Sequence, residues 1–128
     1  MSESIDTFTS EIPMEQMTLL LRLGKEYSFD PLSSIESEQY FRRLLDHCQG
    51  NSSDEQREWL RTIVAKEFEV VDKKPEWIQD PEWPFYDGRP MTFIGQLETK
   101  CEIRSVHHSV VFYVFWDPES GTTTTITQ

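Results

Sequence analysis

Three histidines and two cysteines are the side chains of this chain best suited to binding a metal or attacking a substrate. His107 and His108 are adjacent, and neighbouring residues of a strand point to opposite faces, so the two cannot share one ion. His47 stands beside Cys48, and Cys101 has no second ligand at metal-site spacing. We therefore expect no metal, no cofactor and two reduced thiols.

The chain also lacks the sequence patterns of common catalytic sites. It contains no G-x-S-x-G turn for a nucleophilic serine, and its five glycines are scattered rather than gathered in a phosphate-binding loop. Its 23 acidic residues are so numerous that paired carboxylates carry no information about acid–base chemistry. We expect no catalytic residue and no enzymatic activity.

Residues 77–96 concentrate the large side chains that could contact a partner. Tryptophan and tyrosine are favoured interface anchors because they combine a wide apolar surface with a polar tip. Two interpretations stay open: these aromatic side chains cover a sheet, or they line a groove for a partner or ligand. The candidate partner-binding residues are Trp77, Trp83, Tyr86, Arg89 and Gln96.

The stretch WPFYDGRPMTFIGQLE, Trp83 to Glu98, resembles the segment that marks the YwqG-like family of uncharacterised bacterial proteins. The strand VFYVFWD, Val111 to Asp117, is similar to the aromatic strand of that family, which ends in Asp. Family members are usually much longer, and the helical part of this chain has no counterpart in them. The resemblance implies a bacterial cytoplasmic protein without a known reaction, and it supplies no catalytic residue. The matching positions of the first stretch are Trp83, Pro84, Gly88, Pro90, Met91, Phe93 and Gln96.

The formal charge of the chain is −11, from 12 basic and 23 acidic residues. Such a field repels nucleic acid and anionic membranes and attracts basic proteins. Small proteins of this build are often found among the immunity proteins of bacterial toxin systems. This comparison rests on the class of protein and not on shared residues. The leading hypothesis is an acidic immunity-type or inhibitor protein that neutralises a basic protein partner, such as a toxin.

Two other classes of function remain open. One is a small-molecule-binding protein or enzyme with a site between sheet and helices, lined by Trp83, Tyr86, Arg89 and Gln96. The other is a structural homodimer formed through the sheet. The longest apolar stretch, Val110 to Trp116, is far shorter than the roughly 20 residues of a membrane helix. The N-terminal MSESIDTFTSEIP has no signal-peptide pattern, so we expect a cytoplasmic protein.

The chain is predicted to form one α+β domain over residues 1–128. We expect a flexible arm at 1–10, a helical part at 11–70, a Pro- and Trp-rich connector at 72–90, and a β part at 91–128. Apolar spacing predicts helices at 13–23, 34–48 and 53–66, with Gly24 as a helix stop. Capping boxes are predicted at Ser33 with Glu36 and at Ser53 with Gln56.

The β part is predicted to be an antiparallel sheet or meander on which the three-helix layer packs. MTFIGQLE, CEIRSVHHSVVFYVFWD and TTTTITQ supply its strands, with a turn expected between Ser105 and Ser109. Alternation places Val110, Phe112, Val114 and Trp116 on one face, which we expect to be buried. Val111, Tyr113 and Phe115 occupy the other face. Both faces are apolar, so we expect the helices to cover one, and the connector or a second copy to cover the other.

Overall fold

The computed structural model describes residues 12–128, apart from the side chain of Cys101. Three helices precede an antiparallel sheet, which confirms the predicted α+β class and the order of its two parts. The arm predicted at residues 1–10 lies outside the described range. No helix within that range is long and apolar enough to cross a membrane.

The helices are α1 (Met14–Tyr27), α2 (Ile35–Asp46) and α3 (Ser53–Glu67). The Ser34 hydroxyl caps α2 by accepting a hydrogen bond from the Ser37 N–H, and the Ser52 hydroxyl caps α3 by accepting one from the Glu55 N–H. The predicted caps, Ser33 and Ser53, were therefore each wrong by one residue. Each cap lies in a pair of consecutive serines, and spacing alone does not decide between the two.

Helix α1 does not stop at Gly24, contrary to the prediction. It continues to Tyr27 and ends where Ser28 adopts a left-handed conformation with φ of 67°. The Phe29 N–H donates to the Gly24 carbonyl at 3.0 Å. A Cβ atom at position 24 would lie 2.4 Å from the Phe29 carbonyl oxygen. Glycine is required there because the chain after the helix folds back against it.

Five strands follow. Strands β1 (Phe85–Tyr86) and β2 (Arg89–Pro90) form a small hairpin inside the connector. Strands β3 (Thr92–Ile103), β4 (Val106–Trp116) and β5 (Thr123–Thr127) form an antiparallel sheet in that order. Arg104 and Ser105, both with positive φ, make the turn between β3 and β4, which is tighter than predicted.

The core lies on the face of the sheet that carries Val111, Tyr113 and Phe115, all of which are buried. The helices and the connector pack on this same face, so the connector does not cover the opposite face, contrary to one of the two predicted alternatives. The other alternative, cover by a second copy, stays a prediction. The Trp77 ring lies 4.4 Å from that of Tyr113, measured between centroids. The opposite face was predicted to be buried, yet Phe112 and Val114 are only half-buried and Trp116 is 38% exposed. The described residues therefore cover this face only in part.

Candidate functional site

The two tryptophans of the predicted site belong to the fold. Trp83 is 2% exposed, and its indole N–H donates to the Met91 carbonyl at 2.8 Å. Trp77 is half-buried, and its indole N–H donates to the Ser28 carbonyl at 2.8 Å. Both tryptophan side chains thus anchor the connector to the core, and Trp83 is too buried to contact a partner.

The other three predicted site residues do not form one patch with the tryptophans. Tyr86 is 38% exposed, and the Arg89 guanidinium lies 6.0 Å from its ring centroid. Gln96 is on the sheet, where its side-chain oxygen accepts a hydrogen bond of 2.7 Å from the Glu76 N–H. Only Tyr86 and Arg89 are therefore neighbours at the surface.

Arg89 is held by a buried carboxylate that sequence reasoning missed. Asp117 directly follows strand β4 and accepts hydrogen bonds from Arg89 Nη2 at 2.9 Å and from the Ser120 hydroxyl at 2.7 Å. Burial alone would raise the pKa of Asp117, but the hydrogen bonds from Ser120 and the Arg89 charge together hold it below its ordinary value. The pair joins the β1–β2 hairpin to the turn before β5.

A cleft of about 630 Å³ opens between α2, α3 and this Arg89–Asp117 junction. Leu44, Trp59 and Ile63 supply apolar side chains from the two helices, while the hairpin and the turn supply polar groups. We call it the helix–turn cleft. Its lining comprises Tyr40, Arg43, Leu44, His47, Trp59, Ile63, Lys66, Glu67, Glu69, Gly88, Arg89, Pro90, Thr92, Asp117, Pro118 and Glu119.

Several charges in the helix–turn cleft are already satisfied by neighbours. Arg89 pairs with Asp117 at 2.9 Å and with Glu119 at 3.2 Å. The Tyr40 hydroxyl donates a hydrogen bond to Glu67. Burial, followed by the nearby Glu67 carboxylate, raises the pKa of Tyr40, so this phenol stays protonated. These groups are therefore structural donors and acceptors rather than proton-transfer groups.

A second candidate is an acidic depression formed by the α1–α2 loop, the start of α2 and the connector, which we call the acidic groove. It consists of two adjoining hollows of about 240 and 410 Å³ that share Ser33 and Glu82. Four carboxylates line it, and none of its lining residues is Lys or Arg. None of the four forms an ion pair within residues 12–128. The carboxylates are those of Asp30, Glu36, Asp80 and Glu82.

The third candidate is the open side of the sheet, which we call the outer face. Its described side chains include no Lys, Arg, Asp or Glu, although 27% of the chain is charged. Leu97 is 65% exposed there, and Ile103 and Val106 are also exposed. The register assigns to this face the side chains of Thr92, Leu97, Thr99, Ile103, Val106, His108, Val110, Phe112, Val114, Trp116, Thr123, Thr125 and Thr127.

The groups with nucleophilic or metal-binding chemistry are not brought together. Within the described part of the chain, no three side chains among His, Cys, Asp and Glu are placed to hold a metal ion. Burial raises the pKa of the Cys48 thiol, which disfavours the thiolate needed for attack. His107 and His108 are both exposed on β4, on opposite faces of the sheet.

Comparison with profiles of known protein families, with curated proteins and with solved structures finds no match to this chain. The resemblance of Trp83–Glu98 to the YwqG-like segment thus stays a hypothesis.

Proposed function

We propose that this protein is an acidic, immunity-type binding protein that neutralises a basic protein partner, and that the acidic groove receives the partner. One observation carries the proposal: Asp30, Glu36, Asp80 and Glu82 line two hollows that share Ser33 and Glu82, and no Lys or Arg is among the lining residues. Like charges gathered without counter-charges repel one another, so a basic group from outside relieves that repulsion as it binds. The YwqG-like resemblance supports a bacterial, cytoplasmic setting for this role.

Apolar side chains beside the groove provide the second ingredient of a protein interface. Leu32 lines the groove and is exposed, and the exposed residues Ile35 and Ile78 adjoin lining residues in sequence. Burial of apolar surface supplies most of the free energy of a complex, whereas rim charges mainly speed the encounter. Lys or Arg side chains carried on an apolar surface therefore fit this part of the molecule.

Affinity capture with matched baits tests the proposal. The groove variant Glu36→Gln/Asp80→Asn/Glu82→Gln and the control variant Glu15→Gln/Glu98→Gln/Glu102→Gln each remove three negative charges from exposed positions. We expect a basic protein that is recovered by the wild type and the control and reduced about tenfold or more with the groove variant. Equal recovery by both variants would show that net charge, and not the groove, attracts the partner.

A second candidate function, self-association through the outer face, has its own observation. The outer face is apolar and free of formal charge, so two copies of this −11 chain can meet there without opposing carboxylates. Strand β4 has 11 residues, which corresponds to a length of about 37 Å and a flat footprint on the order of 450 Å² for two to three strands. Standard interfaces bury about 800 Å² per partner, so we propose a weak, concentration-dependent dimer.

A further inference from the structure

We infer that the outer edge of strand β5 pairs with an extended segment of the basic partner, and that alternate Lys or Arg side chains of this segment enter the acidic groove. The inference rests on the proposed function, because it requires a basic partner at the groove, and it adds the way in which that partner is bound. Addition of an extended segment to the edge of a sheet is a common mode of peptide recognition.

Every second residue of β5 leaves its backbone groups unpaired. The N–H and C=O of Gln128 bond to Val111 at 3.0 and 2.9 Å, so the even-numbered residues of β5 direct their backbone groups toward β4. The groups of Thr123, Thr125 and Thr127 therefore point away from β4, and no residue within 12–128 forms a hydrogen bond to them. Each of these exposed residues offers one donor and one acceptor to a further strand.

The opposite edge of the sheet is protected, whereas the edge of β5 is not. At the start of β3, the Phe93 N–H donates to the Glu69 carbonyl and the Val71 N–H donates to the Phe93 carbonyl, both at 2.9 Å. Strand β5, with the sequence TTTIT, contains neither a charged residue nor a proline, the usual means of blocking an exposed edge. Further along, β3 carries the exposed charged residues Glu98, Lys100 and Glu102.

The acidic groove adjoins the unprotected edge. Ile126 of β5 lines the smaller hollow together with Glu36 and Glu82. Alternation places the Gln128 side chain on the same side of the sheet as Ile126, and its Nε2 donates to Glu82 Oε2 at 2.8 Å. A strand added at about 4.8 Å from β5 places every second side chain on that side. Long basic side chains at those positions therefore extend toward Glu36 and Glu82, while the residues between them extend the outer face.

The charge beside this edge favours a basic segment over a second copy of the chain. Pairing of two β5 edges would bring two acidic grooves together, and neither groove is lined by a Lys or Arg that could offset the other. Each copy also carries a charge of −11, so the two copies repel each other. The three-stranded sheet is antiparallel, and antiparallel pairing is the more stable kind. The segment is therefore an antiparallel strand in which Lys or Arg alternates with apolar residues.

Backbone-methylated peptides test the inference. The probe is acetyl-VKVKVKV-amide, and binding is followed by ¹H–¹⁵N NMR spectra of the full chain. In the antiparallel register the valine N–H groups face β5 and the lysine backbone N–H groups face solvent. We expect saturable shifts and slower hydrogen exchange at the Thr125 and Thr127 amides. Methylation of two valine nitrogens should weaken binding about tenfold or more, whereas methylation of two lysine backbone nitrogens should leave it unchanged.

Variants of the chain supply a second, independent comparison. Thr125→Pro removes an outward N–H without removing a hydrogen bond to β4, and it should weaken binding about tenfold. Thr125→Val keeps that N–H and should bind as the wild type does. The groove variant should also bind the probe about tenfold more weakly, while the control variant that removes three other negative charges should bind it normally.

Three results would overturn the inference: equal binding of the valine-methylated and unmodified peptides, equal binding of the acidic peptide acetyl-VEVEVEV-amide, or no saturable shift up to about 1 mM peptide. If valine methylation has no effect but the groove variant still loses binding, the strand pairing is wrong and the acidic groove proposal stands. If valine methylation weakens binding but the groove variant binds like the control variant, the edge pairing stands and the acidic groove proposal is wrong.

Discussion

Trp83 and Tyr86 lie three positions apart in one aromatic segment, yet the fold uses them differently. Trp83 is a core residue with its indole N–H satisfied, whereas Tyr86 is exposed beside Arg89. Residue type alone cannot separate these roles, because both side chains combine an apolar ring with a polar tip. Asp117 was missed for a related reason: an acid in so acidic a chain carries no sequence signal of burial.

Replacing Trp83 with Ala should lower the free energy of unfolding by about 3–5 kcal/mol, the usual loss when a large buried aromatic is truncated. Tyr86→Ala is the matched comparison, and we expect a loss of less than about 1 kcal/mol because the ring is partly in solvent. Urea denaturation followed by circular dichroism measures both values. Similar losses for the two variants would contradict the placement of Trp83 in the core.

Asp117 should make stability depend on pH. Its pKa is lower in the folded state than in the unfolded chain, so its stabilising contribution is present at neutral pH and disappears as the pH falls through the folded pKa. Asp117→Asn should therefore be less stable than the wild type at pH 7, with a smaller difference near pH 3. Asp87→Asn, at an exposed partner of Arg89, is the control. A stability gap that is the same at both values of pH would contradict the buried ion pair.

At the scale of the elements, helices and strands follow from local patterns, while the burial of each sheet face does not. Apolar spacing predicted all three helices, and the errors at Ser33, Ser53 and Gly24 are shifts of one to four residues at helix ends. Asp87–Gly88 is a strong hairpin signal inside the connector, where no strand was predicted. Strand β4 is apolar on both faces, so its periodicity could not show which face the helices cover.

The outer face should support self-association that one charge can prevent. Leu97→Glu introduces a carboxylate at an exposed position of the outer face, whereas Ser109→Glu introduces the same charge on the opposite face of the β3–β4 hairpin. In sedimentation equilibrium we expect the wild type and Ser109→Glu to dimerise at high concentration and Leu97→Glu to remain monomeric. Added salt should strengthen the dimer, since it screens the repulsion between two copies of charge −11.

A wild type that stays monomeric throughout the concentration range would remove the dimer. If the Leu97→Glu variant still dimerises, the dimer must form through another surface.

For the whole molecule, net charge leads to the proposal of a basic partner, but it does not indicate where on the surface such a partner would bind. The sequence shows an excess of acids spread along the chain, and only the fold brings Asp30 and Glu36 next to Asp80 and Glu82 from the connector. The aromatic segment was the better local signal in the sequence, yet its tryptophans are used for packing. Candidate sites that consist of residues distant in sequence, such as the groove and the helix–turn cleft, require the tertiary structure.

The salt dependence of association tests whether the acidic groove receives a basic partner. Association rates of the captured partner are measured by stopped-flow fluorescence over a range of NaCl concentrations, for the wild type, the groove variant and the charge-matched control. We expect the groove variant to associate more slowly, with a flatter dependence on salt, while the control stays close to the wild type. Coincident salt dependences for the groove variant and the control would rule out the groove as the site of binding.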